Sequence, residues 1–544
     1  MANEILKDMG ARKVVTPQRT AARADQVKNS AGGFVFKVSD EQRLLRFLIL
    51  GTSTGTYYAS AQAHTKENVD AIRRIIDKLG VDAVKLIVDV SVAGRAPKQQ
   101  PTLFALAIAS ASKDETVRRA ALEAVPSVCR TGTMLYEFVQ FVENERRWSK
   151  MLRNSVSKWY TEKEASQLAY QAIKYRQREG WTHRDVLRLS HPKTSDAAKV
   201  RVFDFMCGRE VSTDVDDAIT GYLKAQTATS TSELVSVITQ FNLPWEAIPS
   251  ESLNKAEVWE ALIPSMGLGA LIRQLSRFTR LGIIAPLSAT NLDIAKKITD
   301  PIALRKARVH PMGILDALLT YQSGRSTKGS SSWTPVNDIV DALDTAFYAS
   351  FGTIEPAHKR TLLALDVSGS MSAPINDHLS ARVGSAAMAL VTAATEPSTH
   401  IVGFTGGGWG YGMRSRSQPA NVDNLTVLDI TPRMRLDTVV KNISGLPFGG
   451  TDCSLPMQYA QAKGLQVDHF VVLTDSETYA GVMHPFEALC RYRDASGLPS
   501  RLSVVGMTST GFSIADPTDA GMMDCVGFDL NTPNLLSSFA RGDF

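Results

Sequence analysis

The stretch Leu362–Ser372, LLALDVSGSMS, is an apolar run that stops at an aspartate and then sets two serines at D-x-S-x-S spacing. An unbroken apolar run bounded by turn residues fits a strand buried on both faces, as in a parallel sheet. In such a sheet, ligands bind where the strands end, along the carboxyl edge. Asp366, Ser368 and Ser370 would stand together on that edge as oxygen donors.

Neighbouring sequence extends this pattern. TLLALDV, HIVGFTG, LTVLDI, HFVVLTD and LSVVGMT are short apolar runs, and SARVGSAAMALVTAAT, LDTVVKNISGL and SLPMQYAQAKG between them have helical periodicity. The alternation predicts a doubly wound, Rossmann-like α/β domain over residues 351–544. Two more polar groups fall at equivalent edges: Thr451 and Asp452 in FGGTDCS, and Thr474–Asp475 at the end of HFVVLTDSE. One or two carboxylates with several hydroxyls suit a hard divalent cation that retains water, magnesium first. The alternative is that these loops only cap strand ends and helix starts.

Upstream the period is different. From Glu41 to about Leu319, SDEQRLLRFLIL, KENVDAIRRIIDKLG, PTLFALAIASAS, ETVRRAALEAVPSVC and AEVWEALIPSMGLGALIRQLSRF repeat apolar residues at three and four. Ser39 or Asp40, Thr65 and Ser252 stand at N-cap positions. Successive helices with short connections predict antiparallel pairs stacked as a helical-repeat domain over residues 25–350. TYQSGRSTKGSSSWTP (320–335) reads as the linker region, and residues 1–24 read as an extended arm. The Gly-rich loop 406–418 is too rich in glycine for a strand.

Composition excludes several classes. No run of 18 apolar residues exists, so a membrane-spanning helix is not expected, and the first residues lack a secretory core. Five scattered cysteines without a CxxC pair argue against a disulfide framework or zinc site and suit a reducing cytoplasm. No P-loop is present. GTSTG (51–55) has the letters of a nucleophile elbow but follows a helical pattern. A two-metal nuclease would need more carboxylates, and His469 precedes its strand, at the opposite sheet edge from Asp475. Catalysis is therefore not expected.

Charge divides the chain. Residues 351–544 hold 13 basic and 18 acidic residues, net −5, and the remaining 350 hold 47 and 37, net +10. Residues 146–209 alone hold 15 basic and 6 acidic residues, with Trp148, Trp159, Trp181, Tyr160, Tyr170 and Tyr175 interleaved. Lys174 and Arg178 are expected on one helical face. Thr182–Asp185 reads as a capping box, and Arg184, Arg188 and His191 mark the next helix and its end. With Arg176 these residues would form a surface for RNA or another polyanion, cations neutralising phosphates and planar groups stacking on bases. Trp159, Tyr170 and Tyr175 are expected in the core.

Several longer motifs resemble a known family. NSAGGFVF, LLRFLILGTSTGTYY, GRAPKQQPTLFALA, VCRTGT, AYQAIKYRQREGWTHRDVLRLSHPK and RVHPMGILDALLTYQSG are similar to the TROVE domain of the Ro 60 kDa autoantigen family. AFYASFGTIEPAHKRTLLALDVSGSM resembles its junction with a von Willebrand factor A domain. The resemblance implies a ring of HEAT-like helical repeats (TROVE) closed by the A domain. It implies a metal-ion-dependent adhesion site at Asp366, Ser368, Ser370, Thr451 and Asp475, whose open position takes an acidic group from a protein partner. It also implies binding of small noncoding Y RNA at Lys174, Arg178 and His191, and of single-stranded ends of misfolded RNA in the central hole. Arg176, Arg184 and Arg188 join that set by their charge. Bacterial members can be tethered through Y RNA to the exoribonuclease polynucleotide phosphorylase. A monomeric, non-enzymatic RNA-binding scaffold is the expectation. A metal-dependent protein-adhesion module and a metal nuclease are the alternatives.

Overall fold

The structure, a computed structural model, describes residues 15–37, 39–50, 72–96, 99–307, 309, 311–326, 330–351, 356–373, 380–405, 424–446, 450–507, 512–526 and 532–542. Thr65, the GTSTG stretch, the 406–418 loop and the first 14 residues of the arm lie outside these. The described residues divide into two compact units. One gathers residues 15–43 with 356–542, and the other gathers 44–50 with 72–351.

From residue 15 the amino-terminal segment is not an extended arm but part of the first unit. There β1 (Gln26–Lys28) pairs antiparallel with β2 (Phe34–Lys37), and β2 pairs antiparallel with residues 512–513. Val35 and Phe36 are buried, and so are the polar residues Gln18, Gln26 and Asn29. Such polar burial is tolerable because partners are supplied by residues more than 400 positions away.

The helical unit is built from short helices with local stop and start signals. Asp114, Thr131, Ser149, Asp196, Asp217 and Ser230 each accept a backbone N–H at a helix start. Ser252 does not cap a helix: it lies in a 3-10 turn, and the next helix starts after Lys255 without a side-chain cap. The segment Leu268–Arg280 shows how the pattern is used, burying Leu268, Leu271, Ile272, Leu275 and Phe278 on one stripe. Four helices and a hairpin frame the basic segment: α1 (Gly132–Glu145), α2 (Lys150–Thr161), α3 (Ala165–Lys174), β3 (Gln177–Arg178), β4 (Trp181–Thr182) and α4 (His183–Ser190). The expected linker at 320–335 is instead internal to this unit. The Trp333 ring stacks on Tyr321 and its indole N–H donates to the Tyr321 carbonyl, so the stretch folds back before Asn337–Ala349 begins.

In the other unit, six strands lie in the order β11–β9–β8–β5–β6–β7: β5 (Thr361–Asp366), β6 (Thr399–Phe404), β7 (Leu425–Val427), β8 (His469–Thr474), β9 (Arg501–Gly506) and β11 (Met522–Val526). All pairs are parallel except β6 with β7, and β10 (Phe512–Ser513) belongs to the small sheet with β2. Every residue of β5 and β8 is buried, as the unbroken apolar runs require, and α5 (Ala381–Thr395) lies between β5 and β6 in the chain. Leu362, Ala364, Phe470 and Val472 share a core with Leu455 and Met457 of α6 (Leu455–Ala462) and Leu489 and Tyr492 of α7 (Pro485–Ser496). Because β5 has β6 on one side and β8 on the other, the chain reverses its direction of growth at β5. The crevice between the carboxyl ends of β5 and β8 is the switch point where an open parallel sheet offers a ligand site.

Candidate functional site

At that switch point Asp366, Ser368, Ser370 and Asp475 stand together, and Thr451 is bonded to the loop that follows Asp475. Asp366 ends β5, and Thr474, ending β8 beside it, donates its hydroxyl to Asp366 Oδ2 at 2.7 Å. The chain then turns so that the Ser368 amide donates to Asp366 Oδ1 at 2.9 Å, and the Ser368 and Ser370 hydroxyls lie 3.0 Å apart. Asp475 accepts from the Ser370 hydroxyl and, at 3.0 Å, from the Glu477 amide. Thr451 comes from the loop before α6, and its carbonyl accepts the Tyr479 and Ala480 amides. All five predicted residues are at least 95% buried.

Electrostatics show what the cluster lacks. Burial pushes the Asp366 carboxyl above the usual carboxylate range, and the nearby charge of Asp475 pushes it further. Asp475 is raised as well, again by burial first. Two buried carboxylates that disfavour each other's charge need either a proton or a cation between them. The donor set is all oxygen, two carboxylates among hydroxyls, which fits a hard divalent ion and not a soft one. The Ser476 hydroxyl beside it is buried with no partner among the described residues. Asp452 faces a different way: its Oδ1 accepts from the Ser454 amide at 3.0 Å and from Gln18 at 2.8 Å. His469, at the start of β8, bonds Ser503 at the far edge. Among the described residues no three His, Cys, Asp or Glu side chains gather where a metal could sit.

The basic residues lie on a second surface, in the helical unit. Lys174 and Arg178 do not share a helix, because α3 stops at Lys174. Arg178 sits on β3, which returns through Glu179 and Gly180, both at positive φ, to β4. That is the two-residue turn whose twist suits a hairpin, and glycine at its second position is what it needs. Thr182 and Asp185 form the expected capping box, with the Thr182 amide donating to Asp185 at 3.0 Å. On α4, Val186 and Leu187 face inward while Arg184 and Arg188 are exposed one turn apart, and exposed His191 ends the helix in a left-handed conformation. Arg184 and Arg188 have no ion-pair partner among the described residues.

Aromatic rings order part of this face. Lys174 Nζ lies 5.2 Å from the Tyr170 ring centre and 5.6 Å from that of Tyr175, and donates to the Tyr170 hydroxyl at 3.0 Å. Burial works against its charge, but that hydroxyl and the neighbouring Tyr175 and Glu246 hold the ammonium above its ordinary value. Exposed Arg176 stands 5.5 Å from the Tyr222 ring. Trp159 is in the core as predicted, Tyr175 is half-buried, and Tyr170 is 40% exposed, contrary to expectation. Its neighbours explain why: the buried stripe of α3 is Leu168, Ala169, Ala172 and Ile173, and position 170 falls off it.

Sequence reading missed the platform under the hairpin. Helix α1 holds it through one face: the Gly132 amide donates to Gln171 at 2.8 Å, the Tyr136 hydroxyl to the Tyr175 carbonyl at 2.9 Å, and Gln140 accepts from the Trp181 indole at 2.9 Å. Glu137, on the same face, lies 3.5 Å from the Arg178 guanidinium, and Glu179 lies 3.3 Å from it. Burial raises the Glu137 carboxyl and Arg178 opposes that rise. Other basic residues of the segment are occupied structurally. Arg201 pairs with Asp217, Lys199 donates to the Thr161 carbonyl, and Lys163 lies on the Trp159 ring.

The molecule is thus a two-domain protein: a helix-rich domain with an exposed basic face, and a von Willebrand A-type sheet domain with an oxygen cluster at its carboxyl edge. Residues 27–230 and 242–319 match the TROVE domain model, and residues 360–540 match the Ro60 vWA domain model. The RNA-binding protein RO60 of Deinococcus radiodurans is 40% identical over 97% of each chain. RO60 of Caenorhabditis elegans is 34% identical over 98% of this chain and 93% of that one. The crystal structure of the Deinococcus radiodurans Ro (Rsr) protein superposes with a TM-score of 0.70 at 39% identity, covering 93% of this chain and all of that one. The chain belongs to the Ro60 family. Among the described residues no helix is long and apolar enough to cross a membrane.

Proposed function

We propose that this protein is a non-catalytic, cytoplasmic RNA-binding scaffold. Its exposed cations would take a small noncoding Y RNA, and the opening implied by the family resemblance would take single-stranded ends of misfolded RNA. The observation that carries this reading is the set of exposed basic residues Arg176, Arg178, Arg184, Arg188 and His191, with half-buried Lys174 in the same segment, in a protein whose relatives are named for RNA binding. Phosphates are neutralised by these groups with release of counterions, so affinity should fall steeply with salt. A tethered exoribonuclease such as polynucleotide phosphorylase would reach the bound RNA through the Y RNA, leaving this chain to hold and present.

The test is a salt titration of binding to a small structured RNA. In Lys174→Ala/Arg184→Ala/Arg188→Ala the slope of log affinity against log salt should fall by about three, one per lost phosphate contact. A triple variant with the parent's affinity and slope would falsify the assignment of this surface.

The oxygen cluster is part of the same reading. We propose that Asp366, Ser368, Ser370, Thr451 and Asp475 hold one divalent cation, magnesium in the cell. When bound, the ion neutralises the two carboxylates and offers an open position to an acidic side chain of a protein partner. The chain's own residues prepare for it. Thr474 orients Asp366, the Ser368 amide fixes its other oxygen, and the Glu477 amide fixes Asp475. Titration of the parent with manganese as a probe should show one site, absent in Asp366→Ala, with RNA affinity unchanged. Equal manganese binding by the two proteins would remove the cation site.

A further inference from the structure

The amino-terminal segment converges on one loop of the sheet unit, residues 475–483, which starts at Asp475. Gln18 is fully buried and uses every hydrogen-bonding position of its side-chain amide on that loop and on Asp452. Its Nε2 donates to Asp452 Oδ1 at 2.8 Å and to the Met483 carbonyl at 2.9 Å. Its Oε1 accepts from the Thr478 hydroxyl at 2.6 Å and the Gly481 amide at 3.2 Å. The Gln18 amide also donates to the Gly481 carbonyl at 3.0 Å.

Asn29 grips the other end of the loop. Its Nδ2 donates to the Ser476 carbonyl at 3.2 Å and the Thr478 carbonyl at 2.9 Å, while its Oδ1 accepts from the Gly33 amide at 2.8 Å. The Ala31 amide donates to Glu477 at 2.9 Å. Contact is so close at Gly33 that a Cβ there would fall 1.8 Å from the Thr478 carbonyl oxygen.

The shape of this loop matters to the cluster. Ser476, next to Asp475, has φ of 64°, a left-handed conformation that a non-glycine residue adopts only when its surroundings enforce it. Asn29 binds the carbonyl of that strained residue. The same loop donates the Tyr479 and Ala480 amides to Thr451, and Gln18 holds Asp452 next to it. Two side chains from the first thirty residues therefore fix the loop that begins at Asp475 and the Thr451–Asp452 segment bonded to it.

We propose that Gln18 and Asn29 are positioning residues for the cation site, setting Asp475 and Thr451 opposite Asp366 before the ion arrives. This rests on the cation reading above. It implies that the sheet domain is complete only with residues 16–36, and that cutting the chain near residue 350 yields a domain with a weakened site.

The experiment uses the full-length chain and manganese, followed by calorimetry and by the paramagnetic resonance signal of the free ion. Gln18→Ala/Asn29→Ala should bind manganese at least tenfold more weakly than the parent. Gln18→Met, which removes the amide without emptying its space, should show the same direction if the double variant folds poorly. Arg19→Ala, an exposed neighbour lying over the Tyr479 ring, should bind as the parent does. Hydrogen exchange should quicken at residues 476–481 in the weakened variants while β5, β8 and β9 stay protected. Parent-like affinity in Gln18→Met and the double variant, with binding lost in Asp366→Ala, overturns the positioning role and leaves the cation site standing. A parent that binds no manganese overturns the cation reading and this inference with it.

Discussion

Glu137→Gln should tighten RNA binding. In the free protein the Arg178 guanidinium lies 3.5 Å from the Glu137 carboxylate, whose side chain is 12% exposed against 53% for Arg178. Opposite unit charges about 4 Å apart attract by about 1 kcal/mol in water and about 4 kcal/mol in a surface-like medium. More than half of Arg178 meets solvent, so the lower figure governs, about 1 kcal/mol. A phosphate reaching Arg178 must overcome that attraction and also approaches the Glu137 charge. Both effects disappear in the glutamine, which keeps the shape of the side chain. Against them stands the loss of a restraint on the Arg178 side chain, but Glu179 at 3.3 Å still supplies one. The net expectation is about fivefold tighter binding, since 1.4 kcal/mol is tenfold. Fluorescence anisotropy with a labelled structured RNA measures it, and the gain should shrink as salt rises. In an Arg178→Ala background the gain should fall to the residual repulsion alone, a double-mutant cycle that isolates the pair. Unchanged or weaker binding by a folded Glu137→Gln, or the same gain without Arg178, would refute the competition between carboxylate and phosphate.

Other expectations concern stability. Burial pulls the His183 imidazole down to about 4, with its Nδ1 facing the Tyr160 hydroxyl at 3.0 Å. The unfolded chain takes up that proton near pH 6.5, so stability is full above about 6.5. It is lost as the pH falls through the folded value, by about 3 kcal/mol in all. The urea midpoint should show this fall between pH 7 and 4, and the dependence should be shallower in His183→Gln. Trp159→Ala removes a fully buried ring that donates its indole N–H to the Cys129 carbonyl, at a cost of about 3–5 kcal/mol. Hydrogen exchange in α2 and α4 should report it. Gly33→Ala places a methyl against the Thr478 carbonyl and should release the amino-terminal segment, seen as faster exchange over β1 and β2 and easier proteolysis there.

What the sequence disclosed depended on how local each signal is. The run ending at Asp366 identified a central parallel strand because burial on both faces leaves no polar position in it. The capping box at Thr182 was visible because its partners are three residues apart. Lys174 and Arg178, four apart, were expected on one helix, yet the helix ends between them. The Glu179–Gly180 turn carries a hairpin signal, but the strands around it are two residues long, too short to show a period of two. Tyr170 could have been placed outside from the stripe of α3 alone. The stretch 320–335 looked like a linker because serine and glycine dominate it, while one tryptophan and its stacking partner hold it in the helical unit.

The amino-terminal segment is the case in which no local pattern would have sufficed. It has almost none of the apolar periodicity by which buried segments are recognised, and its anchors are amides. An amide gains about 1 kcal/mol per hydrogen bond only if partners stand in place, and loses more if they do not. Gln18 finds them 460 to 465 residues away, in a loop whose own shape is abnormal at Ser476. Segment and loop therefore determine each other: the loop supplies the carbonyls and amides that make burial of Gln18 and Asn29 tolerable, and those side chains supply the bonds that keep the loop in a left-handed turn. Neither sequence carries the information alone. Changes in one would have to be matched in the other, so grafting the 475–483 loop from a relative should disturb residues 16–36 as much as the cation site itself.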